Sequence, residues 1–368
     1  MGGKGLVEEF VRLAKMPSPS GKELSVARCI IERLRSMGLS PYLDNANIGT
    51  ACESGNVVAK IKGSGPTLMF LAHIDTVEAG DREIKPLVNG DIIRSDGKTI
   101  LGADNKGGVV SLLDAMERTV KLQDRPNVIC AFTVCEETDM LGVKAMELGG
   151  KIDYAFDIDG GGPPGTFTTK ALGVSRFSAR FTGKEAHAAR APERGRHAIR
   201  AASLFVTRLK MGKAADGSTL NVGMVHGGRR TNVIPAETEV VGEVRAYSDA
   251  GIKKRLSEVA AASKSSCADT GCRYKLSIVP EVPPFSRSAS KGILRLAKNA
   301  SIRAGLDFAP LTLDACIQAN VIADRAKFPV LGLCRGGHEA HSNSEWTRAG
   351  YLSDASNLIF EIIKGAKE

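Results

Sequence analysis

Five residues spread over most of the chain are candidates, by side-chain type, for holding divalent metal ions: His73 in LAHIDTV, Asp104 in LGADNKGG, Glu137 in CEETD, Asp159 in DIDGGG and His341 in GGHEAHSNSE. Imidazole and carboxylate are the ligands that two neighbouring divalent ions need, and a shared carboxylate lets both ions bind one water between them. Two histidines and three carboxylates are the right inventory for such a pair. Taken singly, each has a plainer explanation. A histidine at a strand end is more often a surface or satisfied core residue, and an aspartate before Asn or Gly is usually a turn residue. What joins them is position: His73, the pair Glu136 and Glu137, and Asp159 each stand where a short apolar run gives way to polar or glycine-rich sequence.

The elements that must hold these residues are legible in the spacing. Residues 5 to 15 repeat Leu6, Phe10, Val11 and Leu13 at helical intervals, and MPSPSGKE breaks that helix at Pro17 and Pro19. Ser20 followed by Glu23 has the form of a capping box, predicting a helix through ELSVARCIIERLRSM that ends at Gly38. NVVAKIKG, PTLMFLAH, NVICAFTVCEE and YAFDIDGG are short apolar strands, and the amphipathic KGGVVSLLDAMERTVKL lies between two of them. Strands alternating with helices predict an α/β fold, a mixed, mostly parallel sheet covered by helices, with sites at the carboxyl ends of strands. From Ala171 the texture changes to GVSRFSARFTG, which alternates as a half-exposed antiparallel strand does. The following β-α-β-β-α-β order is that of a ferredoxin-like α+β unit. The division expected is 1–170 and 282–368 for one domain, with 171–281 inserted as a second.

Composition removes several function classes. The net charge of +9 comes from scattered basic residues, and aromatics are only 5% of the chain, so nucleic acid is not expected as a partner. No apolar run reaches the length of a membrane span, so no membrane association is expected. Glu8 and Glu9 interrupt any leader-like run near the start. The eight cysteines form no CxxC pair and several sit in apolar runs, as free thiols in a reducing cytoplasm would. DIDGGGPPG lacks the P-loop lysine and the dinucleotide-binding spacing, and neither Ser18 nor Ser20 lies in a Gly-x-Ser-x-Gly elbow, so a serine hydrolase has no support.

LAHIDTV, LGADNKGG, CEETDMLG, FDIDGGG, GKEAHAARAPERGRHAI, TNVIPAETEVVGEVR and GGHEAHSNSEW occur in an order and at separations that resemble the co-catalytic zinc peptidases, the family of peptidase T, glutamate carboxypeptidase and the aminoacylases. The peptidase T branch is the nearest, and the resemblance runs from MPSPSGKE to SNSEW. It implies a cytoplasmic, dinuclear zinc-dependent hydrolase of short peptides, with cobalt or manganese as possible metals. His73 and Asp159 would hold one ion, Glu137 and His341 the other, with Asp104 bridging. Asp75 would hydrogen-bond the free nitrogen of His73, two residues on and on the same side of a strand. Glu136 would be the general base that takes a proton from the metal-activated water and returns it to the leaving amine. His187, in the inserted lid and dimerisation domain of a homodimer, would stabilise the oxyanion, often in the partner subunit's site. Asn232 and Arg245 would receive a substrate carboxylate. A structural salt bridge with Glu243 is the plainer explanation of Arg245. His197, His226 and His338 are expected to be structural or surface residues.

The same family includes N-acyl amino acid hydrolases and carboxypeptidases, and a non-catalytic metal-binding or peptide-binding protein on this fold is the reading from another class. Two further expectations come with the resemblance: a cis peptide between Asp104 and Asn105, and a pocket in which the branch usually places an aspartate where this chain has Gln318. A neutral amide lining the pocket would favour a substrate ammonium less than a carboxylate does.

Overall fold

The computed structural model describes residues 3–50, 52–78, 82–285, 290–326 and 328–367. The chain forms two compact units, one of Met1–Thr169, Arg287–Leu313 and Ile317–Glu368, the other of Lys170–Ser286 with Asp314–Cys316.

The first unit is built on an eight-stranded sheet in the order Tyr42–Leu43, Val57–Ile61, Asn127–Thr133, Thr67–His73, Tyr154–Ile158, Val330–Leu333, Thr166–Ala171 and Ala309–Leu313. Its four central strands run parallel, with Thr67–His73 between Asn127–Thr133 and Tyr154–Ile158, and Val330–Leu333 beyond. Val57–Ile61 and Thr166–Ala171 flank them antiparallel, so the sheet is mixed with a parallel centre. Parallel strands covered on both faces become continuous apolar runs, and LMFLA and VICAF are such runs. The register aligns His73 with Thr133 and Ile158 with Leu333. The segments after all four central strands therefore leave from one edge. Helices Gly3–Ala14, Leu24–Ser36, Ala103–Thr119, Lys291–Arg303 and Ala349–Gly365 contribute Phe10, Ile30, Leu112, Ala297 and Ile359 to one continuous core with Phe70 and Phe156.

The second unit is an antiparallel sheet in the order Gly212–Lys213, Thr219–Gly227, Glu237–Ala246, Gly173–Thr182 and Arg273–Val282, with helices Ala198–Arg208 and Asp249–Thr270. This is the expected ferredoxin-like order. Alternate residues Phe177, Ala179 and Phe181 are buried with Val240, Val244 and the helical Phe205 and Val259. The exposed alternates of the edge strand include Ile278 and Tyr274.

Two local expectations are corrected. Ser20 and Glu23 make no capping box. Glu23 is the N-cap of Leu24–Ser36 without a side-chain capping bond, because Ser20 Oγ donates to Asp75 Oδ2 at 2.7 Å and Glu23 Oε1 accepts from Gly21 N and Cys135 N. Both side chains face the sheet edge instead of their own helix. Cys52 and Cys135 are paired in a disulfide across 83 residues of chain, a closure that the linear spacing of cysteines does not reveal. Within the described residues, no helix is long and apolar enough to cross a membrane.

Phe205 is fully buried and meets Phe181 at 5.3 Å and Phe177 at 6.3 Å between ring centroids. Replacing it with alanine removes a large apolar side chain from the small core of the second unit, at a cost of about 3–5 kcal/mol. Urea unfolding of Phe205→Ala is expected to show an earlier transition for that unit, with metal binding in the first unit retained.

Candidate metal centre

His73 is the last residue of its strand and is buried. Its Nδ1 lies 3.1 Å from the Asp75 carbonyl oxygen and 3.4 Å from Asp75 Oδ1. A proton on Nδ1 donated to that carbonyl leaves the Nε2 lone pair directed at Asp104 Oδ1, 3.3 Å away. The orienting partner is thus chiefly the Asp75 main chain. The Asp75 carboxylate has another role: Oδ1 accepts from Glu136 N and Oδ2 from Glu137 N, each at 3.0 Å. Burial alone would raise its carboxyl, but His73, Ser20 and Glu136 N hold it below its ordinary value. It is therefore an anion that clamps the neighbouring turn.

Glu136 and Glu137 lie past the end of Asn127–Thr133, in a turn entered through Cys135 at φ 53°. A left-handed residue there reverses the chain, so two adjacent glutamates both reach the sheet edge. Burial raises the Glu136 carboxyl well above its usual range; His73 opposes this, and Asp159 and Glu137 add to it. Glu137 Oε1 lies 2.9 Å from His341 Nε2. His341 is at φ 64° in the loop after Val330–Leu333, and its hydrogen bond to Glu137 raises its pKa to about 9 despite partial burial.

Asp104 opens the helix Ala103–Thr119, where it and Asn105 depart from helical geometry and the peptide between them is cis. Asn105 Nδ2 donates to Ile158 O at 2.7 Å, and its Oδ1 accepts from Gly108 N. A Cβ on Gly108 would lie 2.4 Å from that Oδ1, so glycine is required there. The loop is held from the other side by Glu345, which sequence reasoning missed. Its buried carboxylate accepts from Leu101 N at 2.7 Å, Gly102 N at 2.8 Å and Asp104 N at 2.9 Å. Burial would raise the Asp104 carboxyl, but Arg335 and His73 hold it far below the usual range.

Three sets of potential ligand atoms lie mutually within 4.8 Å: His73, Asp104 and Asp159; His73, Glu136 and Glu137; and Asp104, Glu137 and His341. Asp104 belongs to two of them. Its Oδ1 faces His73 at 3.3 Å and its Oδ2 faces His341 at 3.6 Å. Asp104 Oδ1 is buried, with Arg335 NH2 at 2.7 Å and His73 Nε2 at 3.3 Å as its charged neighbours. A buried carboxylate needs opposite charge around it, and metal ions held between Asp104 and the two histidines would add to what Arg335 supplies. The donor set is hard oxygen and imidazole nitrogen, suited to zinc, manganese or cobalt. Asp159 completes the set, pushed up to about 6 by burial and then by Asp104.

Gln318 does not line a pocket. It is fully buried at the start of a helix, where its Oε1 accepts from Thr133 Oγ1 at 2.5 Å and its Nε2 donates to Asp157 Oδ1 at 3.2 Å. Asp157 Oδ2 accepts from Ala319 N at 2.7 Å. An amide fits where one face must accept and the other must donate to a carboxylate. A second carboxylate at 318 would face Asp157 directly, so the expected link between Gln318 and substrate charge falls.

His187, Asn232 and Arg245 belong to the second unit. His187 pairs with Val233 in a short ladder, and Ala188 N donates to Asn232 O at 3.0 Å, bringing His187 and Asn232 onto adjoining segments. His187 Nδ1 accepts from Ala189 N and Arg190 N, both at 3.2 Å, which leaves Nε2 as the protonated donor. Arg245 binds Glu243 through Nε at 2.7 Å and NH2 at 3.1 Å, so its fork is already occupied. His197 caps the following helix through Nδ1, and His338 stacks on Trp346 at 4.2 Å.

Known proteins align with this chain along its length. Residues 170–270 match the model of a peptidase dimerisation domain, and residues 56–196 match that of peptidase family M28. The uncharacterised protein YqjE of Bacillus subtilis is 28% identical over 99% of this chain and 98% of its own. The solved structure of aminopeptidase PepT from Bacillus cereus is 25% identical with a TM-score of 0.90, and that of a tripeptidase from Staphylococcus aureus is 25% identical with a TM-score of 0.92. Both alignments cover 100% of each chain.

Two outcomes are expected at this site. Glu345→Ala leaves three loop amides without their acceptor, at about 1–3 kcal/mol for each that stays buried; calorimetry should show lowered stability, and titration weakened metal binding. Because His341 carries a proton below pH about 9, and a metal must displace it, metal affinity should rise with pH from 6 to 9. A flat profile in a competition titration would remove His341 from the ligand set.

Proposed function

We propose that the chain is a peptidase T-like metallopeptidase, a hydrolase of peptide bonds, and more closely a dinuclear, zinc-dependent aminopeptidase of short peptides. The observation that carries the two-metal reading is Asp104, whose two oxygens face different histidines. His73 and Asp159 would hold one ion, Glu137 and His341 the other, and Asp104 both. When bound, the ions would acidify a shared water and polarise the scissile carbonyl.

The remaining steps belong to the chain's own groups. Glu136 shares a cluster with ligands His73 and Glu137, and its raised affinity for a proton suits it to take one from the attacking water and deliver it to the leaving amine. Asp75 fixes the Glu136–Glu137 turn by accepting both amides. His187, with Nδ1 held by two backbone amides, would present Nε2–H as a donor for the developing oxyanion. Asn232, on the segment adjoining His187, would bind the substrate carboxylate. Arg245 would join it only if the Glu243 pair opened.

Tripeptides are the favoured substrates. Structural relatives named as an aminopeptidase and a tripeptidase support this, and the burial of Gln318 removes the argument against ammonium recognition. The match to a peptidase dimerisation domain over 170–270 supports a homodimer formed through the second unit.

Glu136→Ala is expected to retain two equivalents of metal by elemental analysis while kcat on a tripeptide falls about 10²–10⁴-fold, the usual share of a general base. Undiminished hydrolysis would remove Glu136 from the role. A panel of tripeptides and N-acyl amino acids should show release of N-terminal residues only; exclusive deacylation would make the enzyme an aminoacylase. His187→Ala should lower kcat, and mixing it with Glu136→Ala protein should restore activity if His187 acts in the partner subunit of a dimer.

A further inference from the structure

One buried cation at the centre has no part in this mechanism. Arg335 heads the fully buried side chains by volume, ahead of Phe10 and Phe70. Its NH2 lies 2.7 Å from Asp104 Oδ1, its NH1 donates to Gly336 O at 3.1 Å, and its Nε is buried with no hydrogen-bond partner. The surroundings leave room for it. A Cβ on Gly337, where φ is 151°, would come within 2.5 Å of Arg335 NH1, and one on Gly107 within 3.7 Å of Arg335 Cδ.

A guanidinium taken out of water is tolerated only against charge of the opposite sign. Here the charge is that of Asp104, with Asp159 and Glu345 also acting on it. These carboxylates repel one another when no metal is present. The position of Arg335 on the bridging carboxylate lets it offset that repulsion and keep Asp104 aimed. The same charge acts the other way on metal binding. A fixed positive group one carboxylate away repels both incoming ions, and an N–H held near Oδ1 competes for the oxygen that faces His73.

We infer that Arg335 is a resident cation of the centre, holding the bridging Asp104 in place before metal arrives and loosening the hold on the metals afterwards. This rests on the two-metal reading above. A site built this way exchanges its ions more readily than its carboxylates alone would dictate, and its metal-free form stays folded.

The test compares chelator-treated wild type with Arg335→Met, using Zn²⁺ competition against a chromophoric chelator and thermal melting without metal. The expected result is a pair of opposite changes: the zinc Kd falls at least tenfold in Arg335→Met, and its metal-free form melts at a lower temperature. A merely structural arginine would lower both stability and affinity, and that outcome overturns the inference, as does no change in either. Arg335→Lys, which keeps the charge and loses the fork, should retain wild-type zinc affinity; should the methionine variant not fold, tighter zinc binding by the lysine variant would overturn the inference. Failure of wild type to bind two zinc ions would instead sink the two-metal reading.

Discussion

Everything at the sheet edge depends on the carboxylate of Asp75. It is buried, ionised and accepts from Glu136 N, Glu137 N and Ser20 Oγ. A backbone turn carrying two adjacent glutamates has no regular ladder to satisfy its amides, and orphaned buried amides are costly. One carboxylate solves this for both and ties the turn to the strand that carries His73. The link also fixes register: the residue two places after His73 must meet the residues three and four places after Thr133. A slip of either strand by one position would point these groups to opposite faces.

The parallel centre of the sheet makes such a link possible. Four strands end at one edge, so residues far apart in sequence leave it together, and loops too irregular to define themselves are tied by buried acceptors. Glu345 does for the Asp104 loop what Asp75 does for the glutamate turn, taking three amides with one carboxylate. Asn105 and Gln318 do the same from beneath with amides, which can donate and accept at once. Two of the segments that carry the candidate ligands, the Glu136–Glu137 turn and the Asp104 loop, are thus each tied down by a buried carboxylate.

How much of this could be read from the sequence follows from that division. The convergence of His73, Asp104, Glu137, Asp159 and His341 was legible because apolar strands end visibly and the motifs occur in order. The second unit was legible because its alternation and helix spacing are regular. The supports were not. Ser20 and Glu23 carry a local capping signature, yet both turn to long-range partners, since tertiary contacts with Asp75 and Cys135 prevail over a local cap. Glu345 is an ordinary loop glutamate until its three amides are seen. Gln318 suggested a pocket wall because an amide in place of an acid invites a substrate argument; in space it is the complement of Asp157. Arg335 gave no signal, because an arginine in a glycine-rich loop is nearly always exposed.

The balance of charge explains why these supports are polar instead of apolar. Asp75, Asp104, Glu136, Asp157, Asp159 and Glu345 are all withdrawn from water to a large degree, and among the described residues the groups close to them that can carry positive charge are His73, His341, Arg335 and Lys106, the last lowered by burial to about 7. The chain relieves the excess in two ways. Some carboxylates are pushed toward their protonated form, Asp157 up to about 8 and Asp159 up to about 6 by burial and mutual repulsion. Asp75 and Asp104 are held ionised, the first by His73, Ser20 Oγ and Glu136 N, the second by Arg335 and His73. The division is functional. Asp75 and Asp104, which must be anions to clamp or bridge, have the donors; Glu136, which must exchange a proton, has none of comparable strength and sits among negative neighbours. Burial penalises each of them, and donors alone do not decide the outcome: Asp157 rises although it accepts from Ala319 N and Gln318 Nε2, whereas Asp75 and Asp104 have a cationic side chain, His73 or Arg335, against the carboxylate.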